Sequence, residues 1–341
     1  MIGSSGNYPA VVHTVDGRAV GDILPAEQTD VLWGRELNEV SRCEMTIASN
    51  ADVVDSLMPW HHWITVWGDR APVWTGLVRK VTIGDAATKI DVRDVGSLLA
   101  RTRVPLTRAW QSREPAVVAE QMWRTMLELH RVQVDPLLLP SVGGDVFDLS
   151  VTADTQMLTQ ASDELVKLGL RWTVVAGRPV LGPQPSAPVA AFQDGDFMAE
   201  TQVVRDGSRA ANDVRVQGQN AAHTYTADMA GLRLQTLVSI DDLFGVSNIE
   251  RAAHQYAREV ASIREQIVVP SSATLHPEAD VTVDDLVPGA HFLVHSRGIA
   301  EVMMLTQMDV SASGGAHDVR VTLESIDEPT ELERLAEGEA L

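Results

Sequence analysis

Val54-Asp55-Ser56-Leu57-Met58-Pro59 reads again near the other end of the chain as Val283-Asp284-Asp285-Leu286-Val287-Pro288. Two residues later the first copy runs into His62-Trp63-Ile64 and the second into His291-Phe292-Leu293. The spacing is the same in both. At the same offset Val73-Trp74-Thr75 answers Val302-Met303-Met304, and Asp91-Val92-Arg93 answers Asp318-Val319-Arg320 after a loop that differs by two residues. Four matched points in order point to one β-module used twice. A solenoid is excluded: its repeats have short, regular periods and stack on their neighbours, whereas these copies lie more than two hundred residues apart.

Outward from the repeated phrase, composition sets the limits. A chain of 341 residues is too long for one ordinary core and predicts two to three compact units. Hydrophobic residues make up 45% and charged residues 22%, a balance that buries a core and excludes a disordered chain. The net charge of −20 comes with almost no clusters of Lys or Arg, so no basic groove neutralises phosphates and stable nucleic-acid binding is not expected. An acidic wall still suits a surface past which DNA slides without sticking. Cys43 is the sole cysteine, which rules out an intrachain disulfide and a thiolate-rich metal site and fits a small buried strand residue. Met1 to Ser5 lacks the basic start and apolar stretch of a signal peptide, and no apolar run reaches the length of a membrane span. The expectation is a protein made and kept in a cytoplasm, or assembled there, with no membrane partner.

Along the chain, Val11 onward, Asp30 to Gly34, Cys43 to Ile47, Trp63 to Trp67, Val73 to Ile83 and Lys89 to Val95 are short runs rich in Val, Ile, Thr and Trp. Pairs such as Gly68-Asp69 and Gly84-Asp85 separate them. This is the pattern of a small barrel or sandwich. After Arg103 the period changes. Ser112 and Pro115 are placed in the first turn of a helix carrying Val118, Met122, Met126 and Leu129, and Asp154-Thr155 is read as opening a second through Leu158, Ala161, Leu165 and Leu168. Gly169 ends that helix, and a hairpin turning at Ala176-Gly177-Arg178 completes an α+β unit before Pro183, Pro185 and Pro188. Strands resume at Val203 to Arg205, Asp213 to Gln217 and His223 to Thr226. A helix follows, capped by Ser247 and Glu250 and buried along Ile249, Ala253, Tyr256, Val260 and Ile263. The expected fold class is therefore α+β, with two small β-barrel domains (pseudo-duplicated), an intervening α+β domain and a helical insertion. The boundaries are 1–103 for the first barrel, 104–190 for the middle domain, 191–230 and 270–327 for the second barrel, 231–269 for the insertion and 328–341 for an acidic tail.

Three passages carry a resemblance. Leu32-Trp33-Gly34-Arg35-Glu36-Leu37-Asn38-Glu39-Val40-Ser41 is similar to an opening strand and turn in which an Arg and a Leu-Asn pair precede the second strand. Leu57-Met58-Pro59-Trp60 through Trp74-Thr75-Gly76-Leu77-Val78 is similar to a strand, hairpin and G-x-V return strand. Asp163 to Trp172 is similar to the helix, glycine and tryptophan strand of a middle domain. In order and over most of the chain, these passages resemble the hub proteins of tailed-phage tail tips, related in fold to the baseplate hub of contractile phages and the spike base of type VI secretion. The chain departs from that pattern at Ala290, where the family often has Asp after Pro-Gly. The resemblance implies a structural virion protein of the tail tip: a homotrimer whose two barrels per chain give pseudo-sixfold symmetry and adapt a sixfold tail tube to threefold tip components around the DNA channel. It implies as partners a distal tail protein ring, the tape measure protein and other minor tail or fibre proteins.

Catalysis is weighed separately, since a cell-wall hydrolase of the tail tip and a glycan- or receptor-binding β-protein are the alternative readings. No His-Glu-x-x-His, Gly-x-Ser-x-Gly, Walker loop or Gly-x-Gly-x-x-Gly motif occurs, so neither an enzyme nor a cofactor is expected. His61-His62 is the best metal candidate, yet adjacent strand residues point to opposite faces, and His291 and His295 on one strand sit roughly 13 Å apart. Asp241-Asp242 and Asp284-Asp285 lie in turn-like settings where Asp serves the backbone. The candidate interface consists of Trp60, His61, Trp63, Trp67 and Trp74, because a cluster of indoles in one hairpin exceeds what a small barrel usually buries and tryptophan is enriched at interface hot spots. Leu332 and Leu335 in the acidic tail join that set as a docking edge, with a frayed terminus as the other reading.

Overall fold

The computed structural model describes residues 8–25, 28–140, 146–183, 185–208, 210–217, 222–227, 231–239, 253, 264–313 and 316–326. It falls into two compact units. One comprises Met1–Glu200, Val269–His295 and Val302–Glu324, the other Thr201–Val268, Ser296–Glu301 and Ser325–Leu341.

In the first unit, seven strands precede any long helix: β1 (Ala10–Thr14), β2 (Ala19–Ile23), β3 (Gln28–Glu36), β4 (Arg42–Ala48), β5 (His62–Trp67), β6 (Pro72–Ile83) and β7 (Ala87–Asp94). Alternation explains them. In β4 the side chains of Cys43, Met45 and Ile47 turn inward while Arg42 and Glu44 turn out, and in β7 Thr88, Ile90, Val92 and Asp94 do the same. Each large apolar side chain so buried contributes roughly 1.5–3 kcal/mol. The return strand needs its glycine. A Cβ at Gly76 would run into the carbonyl oxygen of Arg93 and the ring of Trp74, so the G-x-V passage is a close approach of backbones.

The middle of the chain supplies β8 (Arg108–Arg113), α1 (Pro115–Leu129), β9 (Leu137–Leu138), β10 (Phe147–Val151), α2 (Leu158–Lys167), β11 (Trp172–Val175), β12 (Arg178–Leu181) and β13 (Ala190–Gln193). Val118, Met122, Met126 and Leu127 of α1 close on Leu158, Ala161 and Leu165 of α2 and on Trp172. Both helices start later than their sequence implies. Ser112 lies in β8 with φ +48° and α1 begins at Pro115, where a missing N–H costs nothing. The second helix opens at Leu158, not Asp154-Thr155, because the Gln160 side chain accepts from the Met157 backbone N–H at 3.0 Å and closes the first turn there. Gly169 adopts φ +98° and ends α2 as its position predicts. The turn Ala176-Gly177, with φ +50° and +83°, joins β11 to β12.

In the second unit, β14 (Gln202–Asp206), β15 (Asp213–Gln217), β16 (Ala222–Thr226), β17 (Gln235–Ser239) and β18 (Arg264–Val268) form two small sheets, β14 with β18 and β16-β15-β17. Buried Asn212 ties the three-stranded sheet together, donating to Ala227 O and Leu232 O and accepting from Leu234 N, each at 2.8 Å. Two of these strands, Gln235–Ser239 and Arg264–Val268, lie inside the 231–269 stretch read as a helical insertion. The helix itself falls outside the described residues except for Ala253, which is helical and buried.

The remaining strands are β19 (Ala273–Thr274), β20 (His291–Ser296), β21 (Ile299–Ser313) and β22 (Ala316–Ser325). The two copies of the phrase precede matching strands. The first leads into β5, which pairs with β6, β6 with β7 and β7 with β4; the second leads into β20, which pairs with β21, β21 with β22 and β22 with β19. The expected pair of closed barrels does not form among the described residues. One 12-stranded sheet instead runs β13-β20-β21-β3-β4-β7-β6-β5-β1-β2, with β22 and β19 branching from β21. The reason is the free edge of β3. A barrel closes only when its two edge strands pair, and that edge is already taken by β21, with Gln307 to Ser313 opposite Glu36 to Asp30. The seam is tight: a Cβ on Gly34 would lie 2.7 Å from Met308 O.

Candidate interface site

At the end of the first phrase, Met58-Pro59-Trp60-His61 makes a reverse turn closed by the His61 N–H on Met58 O at 3.2 Å. Proline presets the first corner of such a turn and the second corner requires positive φ. That second corner is Trp60, at φ +65°; at the same offset in the other copy stands Gly289, at φ +92°, in a turn closed by Ala290 N–H on Val287 O. A bulky side chain in this region costs about 1–2 kcal/mol relative to a relaxed backbone. Trp60 is held there by its own N–H, which donates to Val78 O at 2.9 Å.

Its indole stays 41% exposed and gathers two cations. The Arg79 guanidinium sits 4.8 Å above the ring centroid and that of Arg101 at 5.5 Å. Arg79 reaches the ring because it is the extra residue of a β-bulge: Val78 faces Val92 and Lys80 faces Asp91, leaving Arg79 unpaired. Bulges re-aim side chains in this way. Arg101 comes from the 3-10 turn Val95–Arg101. Neither arginine has a carboxylate or other hydrogen-bond partner among the described residues.

A cleft of about 600 Å³ opens beside Trp60, over a floor of Trp63, Leu77 and Leu98. His61, Arg101 and His130 stand at its margin with Val15 and Val132. Thr102 Oγ1 lies 2.8 Å from both Leu98 O and His130 Nε2, which anchors the ring at the cleft margin. Burial holds His130 below the usual histidine range. His62 is also pushed down, first by burial and then by His61, and its Nδ1 accepts the Met58 N–H at 3.0 Å. That lone pair is thus engaged. His61 Nδ1 is turned to Pro59 O at 3.1 Å, and no cluster able to hold a metal ion occurs among the described residues.

The indoles of the hairpin separate by environment. Trp67 is 38% exposed, with its backbone N–H on Pro9 O. Trp63 is buried as part of the core shared with α1 and reaches the surface only as the floor of the cleft. Trp74 offers no surface: it is 1% exposed, and its indole N–H donates to Ser41 Oγ at 3.2 Å. Ser41 donates in turn to Asp94, through its N–H at 2.8 Å and its hydroxyl, and Gly96 N–H binds the other oxygen at 2.7 Å. Burial raises the Asp94 carboxyl to about 7 against these hydrogen bonds. Leu332 and Leu335 lie outside the described residues.

Two contacts were not foreseen from the residues. Arg35, 1% exposed, donates to Val283 O at 3.0 Å, to Leu286 O at 3.3 Å and to Val73 O at 3.0 Å, so one guanidinium grips the second phrase and the start of β6. Burial lowers it to about 10, with Asp284 acting the other way, and it stays charged. Asn38, at φ +58°, exchanges bonds with Trp172: its N–H meets Trp172 O at 2.7 Å and its Oδ1 accepts the Trp172 N–H at 2.9 Å. The Arg and the Leu-Asn pair of the opening passage are the only sequence signal for either.

No family model and no curated protein matches the sequence. Solved structures do. A 43 kDa tail protein of prophage MuSo2 from Shewanella oneidensis aligns with TM-score 0.57 and 11% identity over 93% of this chain and 98% of its own. A tail protein from Neisseria meningitidis MC58 aligns with TM-score 0.57 and 14% identity over 94% and 97%. An E. coli protein described as a component of the type VI secretion system, with structural similarity to the T4 bacteriophage tail proteins gp27 and gp5, aligns with TM-score 0.50 and 10% identity over 89% and 74%. With most of each chain aligned and little sequence shared, this chain has the fold of these phage tail proteins.

Proposed function

We propose that this chain is a structural, non-enzymatic component of a phage virion, the trimeric hub of the tail tip, standing between a sixfold tail tube and threefold tip components around the DNA channel. The observation that carries the reading is the matched run of strands after each copy of the phrase, joined edge to edge through β3 and β21. Two like strand sets per chain let three chains present six equivalent surfaces to a tube, so a threefold ring meets it without mismatch. The duplicated module, the distal tail ring, the tape measure protein and minor tail or fibre partners all follow from this reading. The net charge of −20 suits a lumen that DNA crosses without binding.

The purified chain is expected to form trimeric rings with six lobes, seen by mass photometry and negative-stain imaging. A chain that stays monomeric at assembly concentrations would overturn the hub. The hydrolase alternative predicts clearing of a cell-wall suspension by the same preparation, whereas the hub predicts none. The glycan-binding alternative predicts glycan binding abolished by Trp60→Ala or Trp67→Ala, the two exposed tryptophans of the hairpin, whereas the hub predicts none.

A further inference from the structure

The cleft beside Trp60 has a chemistry of its own, and what it takes rests on the hub reading in one respect, that a second copy is at hand. We propose that it receives the acidic segment 328–341 of a neighbouring copy, with Leu332 and Leu335 on the apolar floor and glutamates on the two arginines. The chain carries 47 acidic against 27 basic residues, yet Arg101 at the cleft margin and Arg79, which shares the Trp60 ring with it, have no carboxylate of their own among the described residues. A guanidinium stacked on an indole uses its flat face, which leaves the N–H groups along its edge to hold a carboxylate. The ring that aligns both cations is held in a left-handed turn where the other copy has glycine. The floor, Trp63, Leu77 and Leu98, is apolar, and about 600 Å³ takes two leucine side chains and a carboxylate. Segment 328–341 holds both elements, with Glu328, Glu331, Glu333, Glu337 and Glu339 against Arg334 and two leucines three residues apart.

The test uses the full chain with Leu332→Ser and Leu335→Ser, so that its own segment does not compete, and a fluorescein-labelled synthetic peptide of residues 328–341. Anisotropy is expected to report binding with a Kd of roughly tens of micromolar, weakening as salt rises. Trp60→Gly, the residue of the other copy, and the pair Arg79→Gln with Arg101→Gln are each expected to weaken it by at least about tenfold. No binding at millimolar peptide, or equal binding to Trp60→Gly protein that retains its fold by circular dichroism, would overturn the proposal. So would equal binding of a peptide carrying serine at both leucine positions, which marks a plain anion site, or binding of a cell-wall glycan fragment in place of the peptide. Rings that form without peptide binding sink this proposal and leave the hub intact; binding without rings does the reverse.

Discussion

The two copies of the phrase share a local grammar and end in opposite circumstances. In both, the Val and Leu of V-x-x-L are buried, proline leads a turn, and the next residue has positive φ. In the second copy the carbonyls of Val283 and Leu286 are gripped by buried Arg35, glycine occupies the strained corner, and the following strands join the seam with β3. In the first copy the corner carries an exposed tryptophan under two arginines. At the offset of Arg79 the second copy has Met308, buried at the seam; at the offset of Asp94 it has Val321, also buried. The difference teaches that a phrase written twice keeps what its turn and core require. It diverges where one copy is covered and the other faces outward.

The contrast breaks most severely at Arg35. Arg35→Met is expected to cost about 3–5 kcal/mol, because three buried carbonyls lose their donor. Urea denaturation would register it, and an unchanged midpoint would show that the grip on the second copy is not structural.

The next largest effect separates Asp94 from Val321. Folded, Asp94 keeps its proton up to about pH 7; unfolded, it releases it near 3.8. Between those values the folded chain binds more protons, so its contribution to stability is full below pH 4 and is lost as pH rises through 7. The span is on the order of 4 kcal/mol. Asp94→Asn, which stays neutral, is expected to flatten the fall in stability between about pH 4 and 7. Parallel pH profiles for variant and parent would rule out Asp94 as its source.

The smallest effect lies in the turns. Gly289→Ala is expected to cost about 1 kcal/mol, as any side chain there is strained. Trp60→Gly is expected to change stability by less than about 1 kcal/mol in either direction, since relief of backbone strain offsets the lost cation–π contacts. A loss of several kcal/mol on thermal melting would instead make Trp60 a core residue.

Much of this was legible in the residues. The strands of the first hundred residues, the hairpin at Ala176-Gly177 and the glycine end of α2 follow from period and turn chemistry, which act over a few neighbours. The helix starts were displaced, because Ser112 and Asp154 are as good at turns as at caps and each is drawn into the backbone beside it. Ser112 N–H binds Asp148, and Asp154 N–H binds Val104 O. Trp63, Trp67 and Trp74 looked alike in sequence, and only burial separated the exposed Trp67 from the two in the core. The cations over Trp60 were hidden as well, because a bulge that re-aims Arg79 leaves no mark in the hydrophobic pattern.

The sequence by itself determined the repeated phrase, the acidic net charge and the order of strand-rich, mixed and strand-rich regions, all of which rest on local alternation and on counting charge. Only the tertiary structure decided that the strands join as one sheet across β3 and β21 instead of closing twice. It also decided that Arg35 holds the second copy and that the first keeps Trp60 exposed. Edge pairing and burial depend on which distant backbone arrives at a free strand, and residues 30–36 and 307–313 meet only when the chain is folded.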